Sequence, residues 1–131
     1  MSVLDTDFLV GLLRQDPEAQ EKLQSLAAEG DTAMTTVVNA LELYKGAFLS
    51  RAPTSARESV DGLLERVERL DLEASLAPHV AEVAADLIRR GRSIGDFDTI
   101  IGTMALAVRQ AVVTRNVDHF RRIPGLQVET W

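Results

Sequence analysis

Short apolar runs alternate with longer amphipathic stretches along this chain, the pattern of an α/β architecture. Residues 2–5 read as a short buried strand and 8–13 as the helical segment after it. Asp16-Pro17 opens a second helix with proline at its first position; Leu23, Leu26 and Ala27 stripe it and Gly30-Asp31 ends it. Residues 33–38, rich in threonine and valine, predict a second strand. Ala40, Leu43, Tyr44, Ala47 and Phe48 then recur at helical spacing, giving a third helix with one apolar stripe. Beyond the break at Pro53-Thr54, Val60, Leu63, Leu64 and Val67 mark a fourth helix, and 70–72 a brief strand. Val80, Val83, Ala84, Leu87 and Ile88 stripe a fifth helix closed by Gly91, and a sixth covers 96–109. Residues 111–114 and 126–128 supply the last two strands.

No repeat, low-complexity tract or linker divides the chain, so residues 1–131 are expected to form a single domain. Short strands separated by helices imply right-handed crossovers and a central parallel sheet of four or five strands, flanked by helices on both faces. Ligands of such sheets collect beyond the carboxyl ends of the strands. Candidate chemistry is therefore sought there.

Composition narrows the choice. With no cysteine there is no disulfide framework, thiolate metal site or cysteine nucleophile. That fits a reducing compartment, and a cytoplasmic location is expected. No apolar run approaches the ~20 residues that span a bilayer, and the first residues lack the pattern of a signal peptide. The net charge of −6 argues against a simple basic nucleic-acid module. Its distribution qualifies that argument: residues 1–86 hold sixteen acids and seven bases, whereas 87–131 hold seven arginines and four acids.

Acids stand where the strands end. Asp5 closes the first strand with Asp7 two residues on, Glu42 follows the second strand, and Asp96 and Asp98 open the helix leading into the fourth. Each also has a capping explanation: Asp5 for the next helix, Asn39 to Glu42 as a capping box, Ser93 to Asp96 as a looser one. Glu42 lies about 200° around its helix from Ala40, off the apolar stripe and toward solvent or a cleft. Asp98 shares a face with Ile101 and Gly102, at the rim of a packing surface. If these carboxylates converge, each pair about 5 Å apart repels by roughly 3 kcal/mol at an effective dielectric near 20. Protonation or a bound cation must relieve that. All-oxygen ligands select Mg²⁺ or Mn²⁺ over Zn²⁺, and such ions serve phosphoryl chemistry. His79 is expected on the surface, and His119 stands among Arg115, Asn116 and Arg121. There is no Gly-x-Ser-x-Gly elbow and no glycine-rich phosphate loop.

Leu4-Asp5-Thr6-Asp7, Ala40-Leu41-Glu42, Gly95-Asp96-Phe97-Asp98 and Val113-Thr114-Arg115-Asn116 occur in the order and spacing of PIN-domain ribonucleases. The end from Ile123 to Trp131 is similar to that of VapC-type toxins. The resemblance covers the whole chain. It implies a three-layer PIN fold, a Mg²⁺-dependent endoribonuclease acting on structured cellular RNA, a cognate VapB-type antitoxin and a homodimer. Asp5, Glu42 and Asp98 match the family's catalytic acids, with Asp96 an additional acid of the toxin branch. Asn116 stands at the fourth acidic position, which leaves a second metal open; Asp118 falls two residues late and His119 where many relatives have Asp.

On that resemblance Asp5 and Asp98 ligate Mg²⁺, Asp96 contributes directly or through water, and Glu42 orients or deprotonates the attacking water. Thr6, Thr114 and Asn116 would fix the phosphate or metal waters, and Arg115, Arg121 and Arg122 the RNA backbone. Two other readings remain at this level. One is a PIN-fold RNA- or protein-binding module with a degenerate site, for which Asn116 speaks. The other is a haloacid-dehalogenase-type phosphatase, suggested by Asp5-Thr6-Asp7, although Leu9 and the early lysines Lys22 and Lys45 depart from its pattern.

Overall fold

A computed structural model describes all residues from Met1 to Trp131. Five strands, β1 (Ser2–Leu4), β2 (Ala33–Thr36), β3 (Glu68–Leu70), β4 (Ala111–Val113) and β5 (Val128–Glu129), form one sheet in the order β3-β2-β1-β4-β5. Every neighbouring pair is parallel. The chain thus steps outward from β1 to β3, then returns to the other side for β4 and β5. That reversal places a topological switch point between β1 and β4, where α/β sheets open a crevice.

The connections carry α1 (Thr6–Leu13), α2 (Pro17–Ala28), α3 (Val37–Phe48), α4 (Pro53–Leu64), a 3₁₀ turn (Ala74–Leu76), α5 (Ala77–Arg89), α6 (Asp96–Ala107) and α7 (Val117–Phe120). Alternation along the strands divides the core in two. Leu4 and Val113 face a cluster with Phe8, Leu9, Leu43 and Val60, supplied by α1, α3 and α4. Val3 and Val112 face the opposite side, with Ile101, Met104 and Phe120 from α6 and α7. Phe8 and Phe120 are fully buried, each such burial stabilising the fold by about 1.5–3 kcal/mol. No helix is long and apolar enough to cross a membrane.

Gly102 lets α6 approach the closing segment. A Cβ there would stand 2.3 Å from Ile123 Cδ1, with Leu126 and Phe120 side chains at 3.3 and 3.4 Å. Gly102→Ala is therefore expected to destabilise the protein by about 1–3 kcal/mol through overpacking, despite the better helix propensity of alanine. A lowered urea midpoint with an unchanged m-value is the expected signature.

Several boundaries differ from the sequence expectation. The third helix starts at Val37, not Ala40, because Thr36 is its N-cap: Thr36 Oγ1 accepts from the Asn39 amide, and Asn39 Oδ1 accepts from the Thr36 amide. The capping box is thus Thr36/Asn39 rather than Asn39/Glu42. The third strand is Glu68–Leu70 instead of 70–72, fixed by pairing of Met34 with Glu68 and Thr36 with Leu70. Charged residues on this edge strand hide the apolar alternation and protect the exposed edge. α6 ends at Ala107 because Arg109 takes φ +58°. The short α7 carries no periodic signal of its own, being anchored by one buried residue, Phe120. Phe48 and Ile88, read as stripe positions, are instead exposed at 57% and 64%.

Candidate active site

The crevice at the switch point is built from the residues that follow the strands. Asp5 continues the β1 ladder, its amide donating to the Val113 carbonyl at 3.0 Å, so its side chain is delivered to the carboxyl end of the sheet. It is only 6% exposed. Oδ1 accepts from Asn39 Nδ2 at 3.1 Å and Oδ2 from the Thr114 hydroxyl at 2.7 Å. Burial pushes this carboxyl up to about 6, opposed by the Thr114 hydrogen bond and reinforced by the charges of Asp7 and Asp98. The capping explanation for Asp5 does not hold: its side chain makes no cap hydrogen bond.

Asn39 and Thr114 organise the surroundings. Asn39, completely buried, spends its carbonyl on Thr36 and has amide protons left for Asp5 Oδ1 and Thr6 Oγ1, the latter at 3.0 Å. The Thr6 hydroxyl in turn donates to Glu42 Oε1 at 2.7 Å, tying α3 to α1 across the crevice. Glu42 thus faces the cleft. Thr114 has a single hydroxyl proton, and the 2.7 Å to Asp5 against 3.4 Å to Asp7 assigns it to Asp5. Asp7 Oδ2 accepts instead from the Arg115 amide at 2.8 Å.

Asp98 completes the arrangement from α6. Gly95, at φ +87°, adopts a backbone that side-chain-bearing residues rarely take, and its carbonyl receives both the Thr99 amide and the Thr99 hydroxyl. This starts the helix so that Asp98 Oδ2 meets Asn116 Nδ2 at 3.0 Å and His119 Nδ1 at 3.0 Å. The second contact requires the proton on Nδ1. Asn116 also donates its amide to Thr114 Oγ1 at 2.9 Å. One hydrogen-bonded chain therefore runs from Glu42 through Thr6, Asn39, Asp5, Thr114 and Asn116 to Asp98.

Other expected site residues lie elsewhere. Asp96, two helical positions from Asp98, points about 200° away from it. It is exposed and lines a separate cavity of about 500 Å³ with Leu72, Val80 and Ile100. Of the three arginines, Arg121 is exposed. Arg122 folds onto Asp118 at 2.7 Å and toward the Ser93 carbonyl at 3.4 Å. Arg115 pairs with Glu18 at 2.6 Å and stacks over the Trp131 ring at 3.6 Å. Sequence reasoning treated Asn39 only as a cap and did not place Trp131 at all. The signal for Asn39 was an amide at the third helical position, where a capping box usually has Glu or Gln; its spare donors needed a second partner.

No three acidic or imidazole side chains converge as a ready-made metal cage. The donor chemistry nonetheless fits a hard cation that keeps several waters and takes only one or two carboxylates. Asp5 is buried, destabilised as an anion and flanked by negative charges, which is what a cation would relieve.

A parallel five-stranded sheet with carboxylates, hydroxyls and an amide linked at its switch point defines an acidic hydrolase site of the nuclease class. The PIN domain family model matches residues 2–126, and the chain belongs to that family. It is 30% identical over 129 residues to the tRNA(fMet)-specific endonuclease VapC of Shigella flexneri, covering 98% of this chain and 96% of that one. A VapC of the same description from Salmonella typhimurium is 31% identical over the same length and shares. The crystal structure of VapBC2 from Rickettsia felis, bound to a DNA fragment from its promoter, contains a chain that superposes with a TM-score of 0.90. That chain is 27% identical, and the match covers 99% of this chain and 98% of it.

Proposed function

We propose that this protein is a Mg²⁺-dependent endoribonuclease toxin of the VapC type, acting on structured cellular RNA in the cytoplasm and neutralised by a VapB-type antitoxin. The observation that carries the reading is the buried Asp5 carboxylate, linked through Thr114 and Asn116 to Asp98. Family membership adds the hydrolytic class. Asp5 and Asp98 would hold the ion, with Asp96 too far around α6 to share more than its charge. When bound, Mg²⁺ supplies stabilisation of charge developing on the scissile phosphate, and Mn²⁺ suits the same oxygen ligands.

The chain's own residues divide the remaining work. Glu42 has one oxygen engaged by Thr6 and the other available to accept a proton from the attacking water. Thr6 and Asn39 hold that carboxylate in place. Thr114 and Asn116 keep Asp5 and Asp98 facing the crevice. Arg121 is the arginine best placed to meet the RNA backbone, since Arg115 and Arg122 already have intramolecular partners.

Exposed apolar side chains support protein partners. Leu41, Phe48 and Leu49 line an open groove of about 680 Å³ rimmed by Lys45 and Arg57, suited to an apolar antitoxin segment carrying acidic residues. Ile88 and Phe97 on the α5–α6 side are available for a homodimer.

The test is cleavage of cellular RNA by purified protein with Mg²⁺, with EDTA, and with Asp98→Asn. Cleavage only in the first arm is expected. Cleavage surviving both removals overturns the metal-site reading, and binding of RNA or a protein partner without cleavage favours the degenerate-site module that Asn116 suggested.

A further inference from the structure

The chain has one tryptophan, and it lies where the closing segment reaches the acidic site. β5 runs parallel to β4, and the Glu129 carbonyl accepts the Thr114 amide at 2.9 Å. Trp131 thereby arrives beside the turn formed by Thr114, Arg115 and Asn116. Its indole enters a seat shaped to it. The ring meets Phe8 edge-on, centroids 5.4 Å apart. A Cβ on Gly11 would stand 2.8 Å from ring atom Cη2, so glycine at that position lets the ring lie against α1. The opposite partner is polar: Arg115 stacks its guanidinium 3.6 Å from the ring centroid and donates from Nε to the Trp131 carbonyl at 3.2 Å. The ring Nε1–H points to Asp7 Oδ1 at 3.4 Å.

We propose that Trp131 is a positioning residue of the nuclease site, fixing the Thr114–Asn116 turn through Arg115 and Asp7 and so orienting Asp5 and Asp98. Three contacts transmit the effect. Asp7 holds the Arg115 amide, Thr114 gives its only hydroxyl proton to Asp5, and Asn116 gives a side-chain amide proton to Asp98. Without the indole, the Arg115 side chain keeps its ion pair with Glu18 and its hydrogen bond to the residue 131 carbonyl, both at the exposed surface. Exposed pairs of this kind hold a side chain weakly. A guanidinium over an aromatic face is a second, independent tether, because the ring quadrupole attracts it.

A purely packing role and a positioning role diverge in matched variants. Trp131→Phe keeps an aromatic face for Arg115, whereas Trp131→Leu keeps apolar bulk without one. We expect Trp131→Leu to lower kcat for RNA cleavage about tenfold or more, with KM within about twofold, because small displacements of reacting groups cost rate rather than binding. The amides of Arg115 and Asn116 are expected to exchange hydrogen about tenfold faster in that variant, while those of α3 keep wild-type protection. Trp131→Phe, which keeps the stack but gives up the hydrogen bond to Asp7, falls between the wild type and the Leu variant in both measurements. Should the tryptophan variants fail to fold, Arg115→Gln releases the same stack from its other side and produces the same faster exchange. The proposal is overturned if exchange at 115–116 is unchanged when the stack is lost, or if kcat falls equally in the Phe and Leu variants in step with their melting temperatures. The activity arm rests on the ribonuclease reading and the exchange arm does not, so a wild type that cuts no RNA indicts that reading alone.

Discussion

Asp5→Asn melts higher than the wild type in the absence of divalent cations, and it cuts RNA at least about a hundredfold more slowly. The two effects share one cause. Burial raises the Asp5 carboxyl from 3.8 to about 6, so at neutral pH the folded state carries an anion it disfavours. Each unit of such a shift corresponds to about 1.4 kcal/mol, and the penalty is therefore about 2–3 kcal/mol. Because the folded-state value is raised, the penalty is absent below about pH 4 and complete above about pH 6. Asparagine preserves the shape, and its amide can be accommodated beside Thr114 once that hydroxyl turns to accept. Calorimetry at pH 7 should show a melting temperature higher by roughly 5–10 °C for Asp5→Asn, with the difference vanishing at pH 4. Equal melting at both pH values would mean that Asp5 is not strained as an anion.

Asn39→Ala has the opposite effect on stability, because it deletes the Asn39–Asp5 hydrogen bond that Asp5→Asn keeps. The substitution leaves Asp5 Oδ1 without its amide donor and the Thr36 cap without its reciprocal partner, all in a fully buried position. Leaving buried polar groups unpaired costs about 1–3 kcal/mol for each neutral group and more for a charged one. A loss of about 3–4 kcal/mol in chemical denaturation is therefore expected, a large fraction of a typical domain's stability. The Asp5 carboxyl moves further up, because a hydrogen bond to its ionised form is gone. Cleavage in Asn39→Ala should accordingly reach its plateau at higher pH than in the wild type, if the variant is assayed below its lowered melting temperature. An unchanged pH profile would separate Asn39 from the chemistry and leave it as a helix cap alone.

The sheet and most helices were legible because their apolar positions obey simple periods. β1 and β4, central and buried, show as short, mainly apolar runs; β3 does not, because an edge strand bearing Glu68 and Arg69 has no face to declare. Asp5, Glu42 and Asp98 were legible as acids standing at strand or helix ends. What joins them was not. Asn39 reaches Asp5 across 34 residues and Trp131 reaches Asp7 across 124, and no local pattern encodes such partners. Asp96, offered by the resemblance as an additional acid, is turned away from Asp98 by helical geometry.

The hydrogen bond between Thr114 and Asp5 spans 109 residues, and it has a bearing on when during its making the protein can act. The central strand β1 is synthesised first, yet one of its two sheet neighbours, β4, comes after four-fifths of the chain. Long-range parallel pairings of this kind form slowly, since a large loop must close before any contact rewards it. A chain still attached to the ribosome through residue 100 or so holds every acid of the site, but none of the turn that aligns Asp5 with Asp98. Such a nascent chain is expected to cut no RNA until β4 and the turn after it have emerged and paired with β1.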